Sequence, residues 1–200
     1  MVFTTHCWRN SLLSLALLLA CLPVWAGGIK IQSAQSYGQD GHYFIDAKFE
    51  ITLDEVHESA LLAGVPLVFT SEFNLTRPRW YWAYRQLSDW FDSTSRQEIK
   101  LSYHSLTRSY RVSVGSLFQS FSTLSEALRV VGIVRDWKVF ERGGLTRKGP
   151  FSDMRLGGEL MMRLDTSKLP KPFQLSILGQ DEWVVESPKR ELLLEETSPE

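Results

Sequence analysis

The sequence predicts a mostly β protein: a single antiparallel β-sandwich-like domain with two short helices. Three observations carry that expectation. Between Gln97 and Gly115, pairing residues whose numbers sum to 213 sets Ile99 against Val114, Leu101 against Val112 and Tyr103 against Tyr110. These share one face of a two-stranded ribbon, while Lys100, Ser102, His104, Arg111 and Ser113 take the other. A second run, from His42 to Leu53, places Tyr43, Ile45, Ala47, Phe49, Ile51 and Leu53 on one face and polar residues on the other, with Phe44 the exception. Third, such short alternating runs recur between turn residues with too little helix to cover both faces of one sheet.

Residues 1–26 stand apart from that domain. Arg9 precedes an uncharged apolar run from Ser11 to Leu22, and Val24-Trp25-Ala26 fits a signal-peptidase site, so cleavage is expected between Ala26 and Gly27. The run is short for a membrane span, although a retained N-terminal anchor is the alternative. Leu18-Leu19-Ala20-Cys21 also resembles a lipoprotein box, which would leave the chain anchored through Cys21. Both cysteines, Cys7 and Cys21, fall in this segment, so the mature domain, expected in the periplasm, is disulfide-free. The 200 residues hold 22 Lys+Arg and 23 Asp+Glu. Setting aside Arg9, the one basic residue of 1–26, leaves 21 against 23, a net charge of about −2 that argues against nucleic acid as a partner.

The elements follow in order. Residues 29–37 alternate loosely and predict an edge strand, closed by the Gly38-Gln39-Asp40-Gly41 turn. After the 42–53 strand, Asp54 caps a short helix over 55–63 that Gly64 ends, with Val56, Ala60, Leu61 and Ala63 as its apolar stripe. Residues 67–75 form a strand, which Arg77-Pro78 interrupts. Residues 79–85 fit a strand better than a helix, and Asp92 to Ser95 read as a polar turn. Beyond the central hairpin, 117–121 predict a strand at its edge. Thr123 and Glu126 have capping-box spacing for a helix to Val131, with Leu124, Leu128 and Val131 on one stripe and Gly132 as its stop. Trp137 to Phe140 form a short strand and 141–153 a flexible glycine-containing loop. Leu160, Met162 and Leu164 alternate. Leu169-Pro170-Lys171-Pro172 predicts an extended connector, and Phe173, Leu175 and Ile177 a further strand. Residues 183–186 close a globular domain of 27–190, leaving 191–200 as an acidic, frayed tail.

Catalytic chemistry finds little support in these residues. His42, His57 and His104 lie on separate elements without metal-ligand spacing, and the mature chain has no thiol, so neither metal nor cofactor is expected. No Gly-x-Ser-x-Gly elbow occurs, Gly143-Gly144 and Gly157-Gly158 lack phosphate-loop spacing, and Asp46 and Glu50 share an exposed strand face. One stretch points to binding: Arg77, Arg79 and Arg85 interleave with Trp80, Tyr81, Trp82 and Tyr84. It would suit a protein anchor patch or stacking on sugar rings, against the alternative that Trp80, Trp82 and Tyr84 fill the core.

Leu75-Thr76-Arg77 with Trp80-Tyr81-Trp82, Leu101-Ser102-Tyr103-His104 with Leu106-Thr107-Arg108 and Tyr110-Arg111-Val112, then Phe121 to Leu128, Trp137, Leu164-Asp165, Leu169-Pro170-Lys171-Pro172 and Trp183 resemble a proteobacterial exported-protein family classed as a domain of unknown function. The resemblance spans the mature chain. It departs at Ala83-Tyr84, where the family often carries another Trp and an acidic residue. Family members are often encoded near an envelope two-component sensor kinase, which implies such a kinase or another envelope protein as partner. The expected function is therefore a non-enzymatic periplasmic interaction module whose contacts are Arg77, Arg79, Trp80, Tyr81, Trp82 and Arg85. A glycan- or peptidoglycan-binding domain is the alternative, and a hydrolase with an unrecognised site a more distant one.

Overall fold

The structure is a computed structural model that describes residues 27–76, 94–141, 157–176 and 183–194. Nine strands, β1 (Gly28–Gln39), β2 (His42–Thr52), β3 (Leu67–Thr76), β4 (Thr94–His104), β5 (Ser109–Val114), β6 (Leu117–Phe121), β7 (Ile133–Glu141), β8 (Gly157–Leu164) and β9 (Arg190–Leu193), form two antiparallel sheets. The smaller has the order β1-β2-β7 and the larger β6-β5-β4-β3-β8-β9. The helices are α1 (Glu55–Leu62), α2 (Leu124–Val131) and α3 (Lys171–Ser176), with a 3₁₀ turn at Thr166–Lys168. This is the mostly β, sandwich-like domain expected, with a third helix added.

The central hairpin has the register read from the sequence: Lys100 faces Ser113, Leu101 faces Val112 and Tyr103 faces Tyr110. Ile99, Leu101 and Val112 are buried, but Val114, the last residue of β5 before the Gly115 turn, is exposed. All six apolar residues of the 43–53 set are buried, and Phe44 stacks on Tyr37 at 5.5 Å. Asp40 and Gly41 both have positive φ, 50° and 74°, forming the two-residue turn whose twist suits a tight hairpin. The sheets meet through pairs such as Phe73 and Phe140, 5.9 Å apart. Their edges are joined on one side, where the Ser36 hydroxyl donates to the Leu193 carbonyl.

Several expectations are corrected. In α1 the buried residues are His57, Ala60 and Leu61, and Val56 and Ala63 of the expected stripe face water. His57 displaces Val56 because Asp54 accepts from both the His57 amide (3.0 Å) and Nδ1 (2.5 Å), turning the ring inward against Trp183. Thr94 and Ser95 belong to β4, facing Asn74 and Phe73 rather than forming a turn. The strand expected at Trp137 starts at Ile133. A bulge with Asp136 at φ 50° breaks its alternation, and the Asp136 amide is satisfied by Asp46 Oδ1 at 2.8 Å.

Lys171 to Ser176 is helical, so neither the extended connector nor the strand through Phe173 and Leu175 forms as expected. Prolines lack only amides that a helix's first turn leaves unused, and the amides of Phe173 and Gln174 bond the Pro170 carbonyl instead. Residue 191 does not begin a frayed tail. Arg190–Leu193 pairs with β8, Lys189 bridges Glu159 at 2.9 Å, and Leu194 is buried. Of the expected flexible loop, only Glu141 is described, as the last residue of β7, and Ile177 lies outside the described residues. Among the described residues, no helix is long and apolar enough to cross a membrane.

Candidate functional site

The smaller sheet is incomplete at one end. β2 pairs with β1 along its whole length, to Thr52 facing Gly28, but its ladder with β7 ends at Lys48 facing Ile133. The next bond on that side runs from the Phe49 amide to the Gly132 carbonyl at the end of α2, 2.7 Å long. Because a strand's backbone groups alternate in direction, those of Glu50 and Thr52 turn to β1, and those of Ile51 turn the other way, as Phe49's do.

Ile51 is one of the residues that line a cleft of about 650 Å³. Besides residues 48–53 it is lined by Gln32 of β1, Tyr110 of β5, Glu58 of α1, and Leu124, Ser125, Leu128 and Arg129 of α2. Three local features build this cleft. Thr123 accepts from the Glu126 amide at 3.3 Å and starts α2, so Leu124 and Leu128 fall on its inner side. Gly132 ends the helix against Phe49, where an added Cβ would lie 2.2 Å from the Phe49 carbonyl oxygen. Asp54 fixes the start of α1 directly after β2, and burial that alone would raise its carboxyl is outweighed by the hydrogen bonds from His57, which hold it below its ordinary value.

Tyr110 closes the wall with its ring 5.0 Å from Tyr103. Burial, with smaller effects of Tyr103 and Glu58, raises its hydroxyl pKa, so the group stays protonated and can donate a hydrogen bond. The rim is charged in both senses, with Lys48, Glu50, Glu58 and Arg129 exposed. Among the described residues none of the four has an ion-pair partner. An apolar wall, a strand edge with no strand beside it among the described residues and a mixed-charge rim suit an extended peptide.

A family profile described as "Domain of unknown function (DUF4390)" matches residues 26–192. The chain belongs to the DUF4390 family. No curated protein and no solved structure matches it. The DUF4390 match takes in the cleft entirely and also the aromatic and basic stretch singled out in the sequence.

Arg77, Arg79, Trp80, Tyr81, Trp82 and Arg85 lie outside the described residues, as do Ala26 and Cys21. The flanking strand ends show where their segment joins the domain. Residues 77–93 follow Thr76, the last residue of β3, and precede Thr94, the first of β4, neither of which lines the cleft. Gly27 packs so that a Cβ would meet Thr52 O and Asp54 N at 3.0 Å. The three histidines stay on separate elements, and among the described residues no three potential metal ligands cluster. The cleft itself went unread in the sequence. Its residues come from five elements, and the only local hints were the two helix caps, which place helix ends and not what those ends approach.

Proposed function

We propose that this DUF4390 domain is a non-enzymatic interaction module of the cell envelope, which receives an extended segment of a partner protein alongside β2. One observation carries this reading: among the described residues the Ile51 edge of β2 has no strand beside it, and Ile51 lines a cleft walled by Leu124, Leu128 and Tyr110. A peptide in extended conformation would continue the ladder that β7 leaves at Lys48 and set alternate side chains against α2. The setting we propose is the periplasm, because residues 1–26 have the make-up of a signal peptide. The partner is an envelope protein, a sensor kinase being the one implied by the family resemblance. The Arg77 to Arg85 segment is proposed as a second contact.

The test is in-cell photo-crosslinking from Ser125 and, separately, from Tyr81, each replaced by a photoreactive residue, with mass spectrometry of the adducts. A discrete envelope-protein adduct from position 125 is expected. Adducts only with cell-wall glycan would replace this reading with the glycan-binding one, and no adduct from folded protein would remove the cleft from consideration. Sequencing the N-terminus of the mature protein separates cleavage before Gly27 from lipidation at Cys21.

A further inference from the structure

β6 is the outermost strand of the larger sheet, so one side of its backbone has no strand partner among the described residues. Soluble proteins protect such edges with charge, proline or cover, because an open edge recruits another strand. The other three outer strands are charged: β1 carries Lys30, β7 carries Arg135 and Lys138, and β9 carries Arg190 and Glu191. β1 and β9 also meet each other through Ser36 and Leu193. Among the described residues β6 has none of this protection. No Asp, Glu, Lys or Arg occurs anywhere in residues 112–125. Leu117 is 77 % exposed, Phe118 59 % and Val114 40 %, which puts three large apolar side chains in water at this edge.

We infer that this edge is a homodimer interface in which β6 pairs antiparallel with β6 of a second copy, about a two-fold axis through Gln119. The strand's own sequence selects a second copy as occupant. Opposed to itself with Gln119 facing Gln119, it sets Leu117 against Phe121 and Phe118 against Ser120, each contact occurring twice. The two-fold pairing brings no like charges together, the usual penalty for a strand meeting itself. Leu117, uncovered in the single copy, gains as neighbour a Phe121 that already packs on the core of the other. Arg111, lying 4.4 Å over the Phe118 ring, stays on the outer face of the sheet one strand back from the axis. The two larger sheets would then run on as one twelve-stranded sheet, twice the six strands of a single copy. This inference is independent of the cleft.

The experiment is sedimentation equilibrium of the processed full-length protein over a concentration series, with Gln119→Lys and Gln119→Cys beside the wild type. The wild type is expected to reach dimer mass. Gln119→Lys, which sets two cations across the axis, should raise the dissociation constant at least about 100-fold while leaving the circular dichroism spectrum unchanged, and the melting temperature unchanged at concentrations where the wild type is itself monomeric. Gln119→Cys should form a disulfide-linked dimer under mild oxidation, because directly opposed residues have Cα atoms about 4.5–5.5 Å apart, within disulfide reach. Lys138→Cys, on an outer strand of the other sheet, should not. A wild type that stays monomeric throughout, or a dimer that survives Gln119→Lys and fails to crosslink at position 119, overturns the inference.

Discussion

Replacing Gly132 with alanine tests how the cleft is held open. The residue sits at φ −74°, a conformation any amino acid adopts, so backbone preference alone favours Gly132→Ala by about 0.5 kcal/mol. Packing predicts the opposite sign. The new Cβ would lie 2.2 Å from the Phe49 carbonyl oxygen and 3.1 Å from its carbon, so strand and helix must separate by about 1 Å to restore ordinary contact. That movement acts on the same peptide whose carbonyl accepts the 2.7 Å bond from the Phe49 amide. Overpacking costs about 1–3 kcal/mol and the lost hydrogen bond about 1, for an expected destabilisation of about 2–4 kcal/mol. At about 2–4 °C per kcal/mol for a domain of this size, the melting temperature should fall by roughly 5–15 °C. Urea unfolding measures it directly, with Gly28→Ala as control, since a Cβ there meets nothing within 4 Å. If Gly132→Ala changes stability no more than Gly28→Ala does, the close approach of α2 to β2 is wrong.

Three other perturbations have signs fixed by the structure. Glu72 of β3 accepts from Arg163 Nη2 at 3.0 Å and Arg96 Nε at 3.1 Å; burial alone would raise its carboxyl, but the two arginines hold it below 4.5. Its contribution is therefore present above about pH 4.5 and lost as pH falls through the depressed value. With both arginines half in water, Glu72→Gln should cost about 1–2 kcal/mol at pH 7 and progressively less in acid, as pH-dependent urea unfolding would show. The Tyr37 hydroxyl donates to Asp136 at 2.6 Å, and that bond, with burial and the nearby Asp46 and Asp136 charges, pushes its pKa up to about 12. Its stabilisation holds below pH 10 and is lost as pH climbs toward that value. Tyr37→Phe should remove one late-ionising phenol from an ultraviolet titration and cost about 1 kcal/mol at pH 7. His57→Ala empties a fully buried site under Trp183 and takes both ring contacts away, so about 2–4 kcal/mol should be lost in the same unfolding assay.

Features encoded by a short period or a local cap are legible without the fold. The register of the 100–113 hairpin, the buried face of β2, the Asp40-Gly41 turn and the caps of α1 and α2 each depend on residues a few positions apart, where backbone geometry leaves one reading. Tertiary structure decided the rest. Asp136 enters a bulge that shifts β7 out of period, and prolines 170 and 172 serve a helix start as readily as an extended chain. Acidic Glu191 becomes part of a strand because β8 offers it an edge. The cleft is the clearest case. It exists because β7 stops at Ile133 while β2 continues to Thr52, and that difference in length depends on how two sheets and a helix divide one core. No local pattern records such a division, since the residues it brings together are distant in the chain and each is satisfied by its own element first.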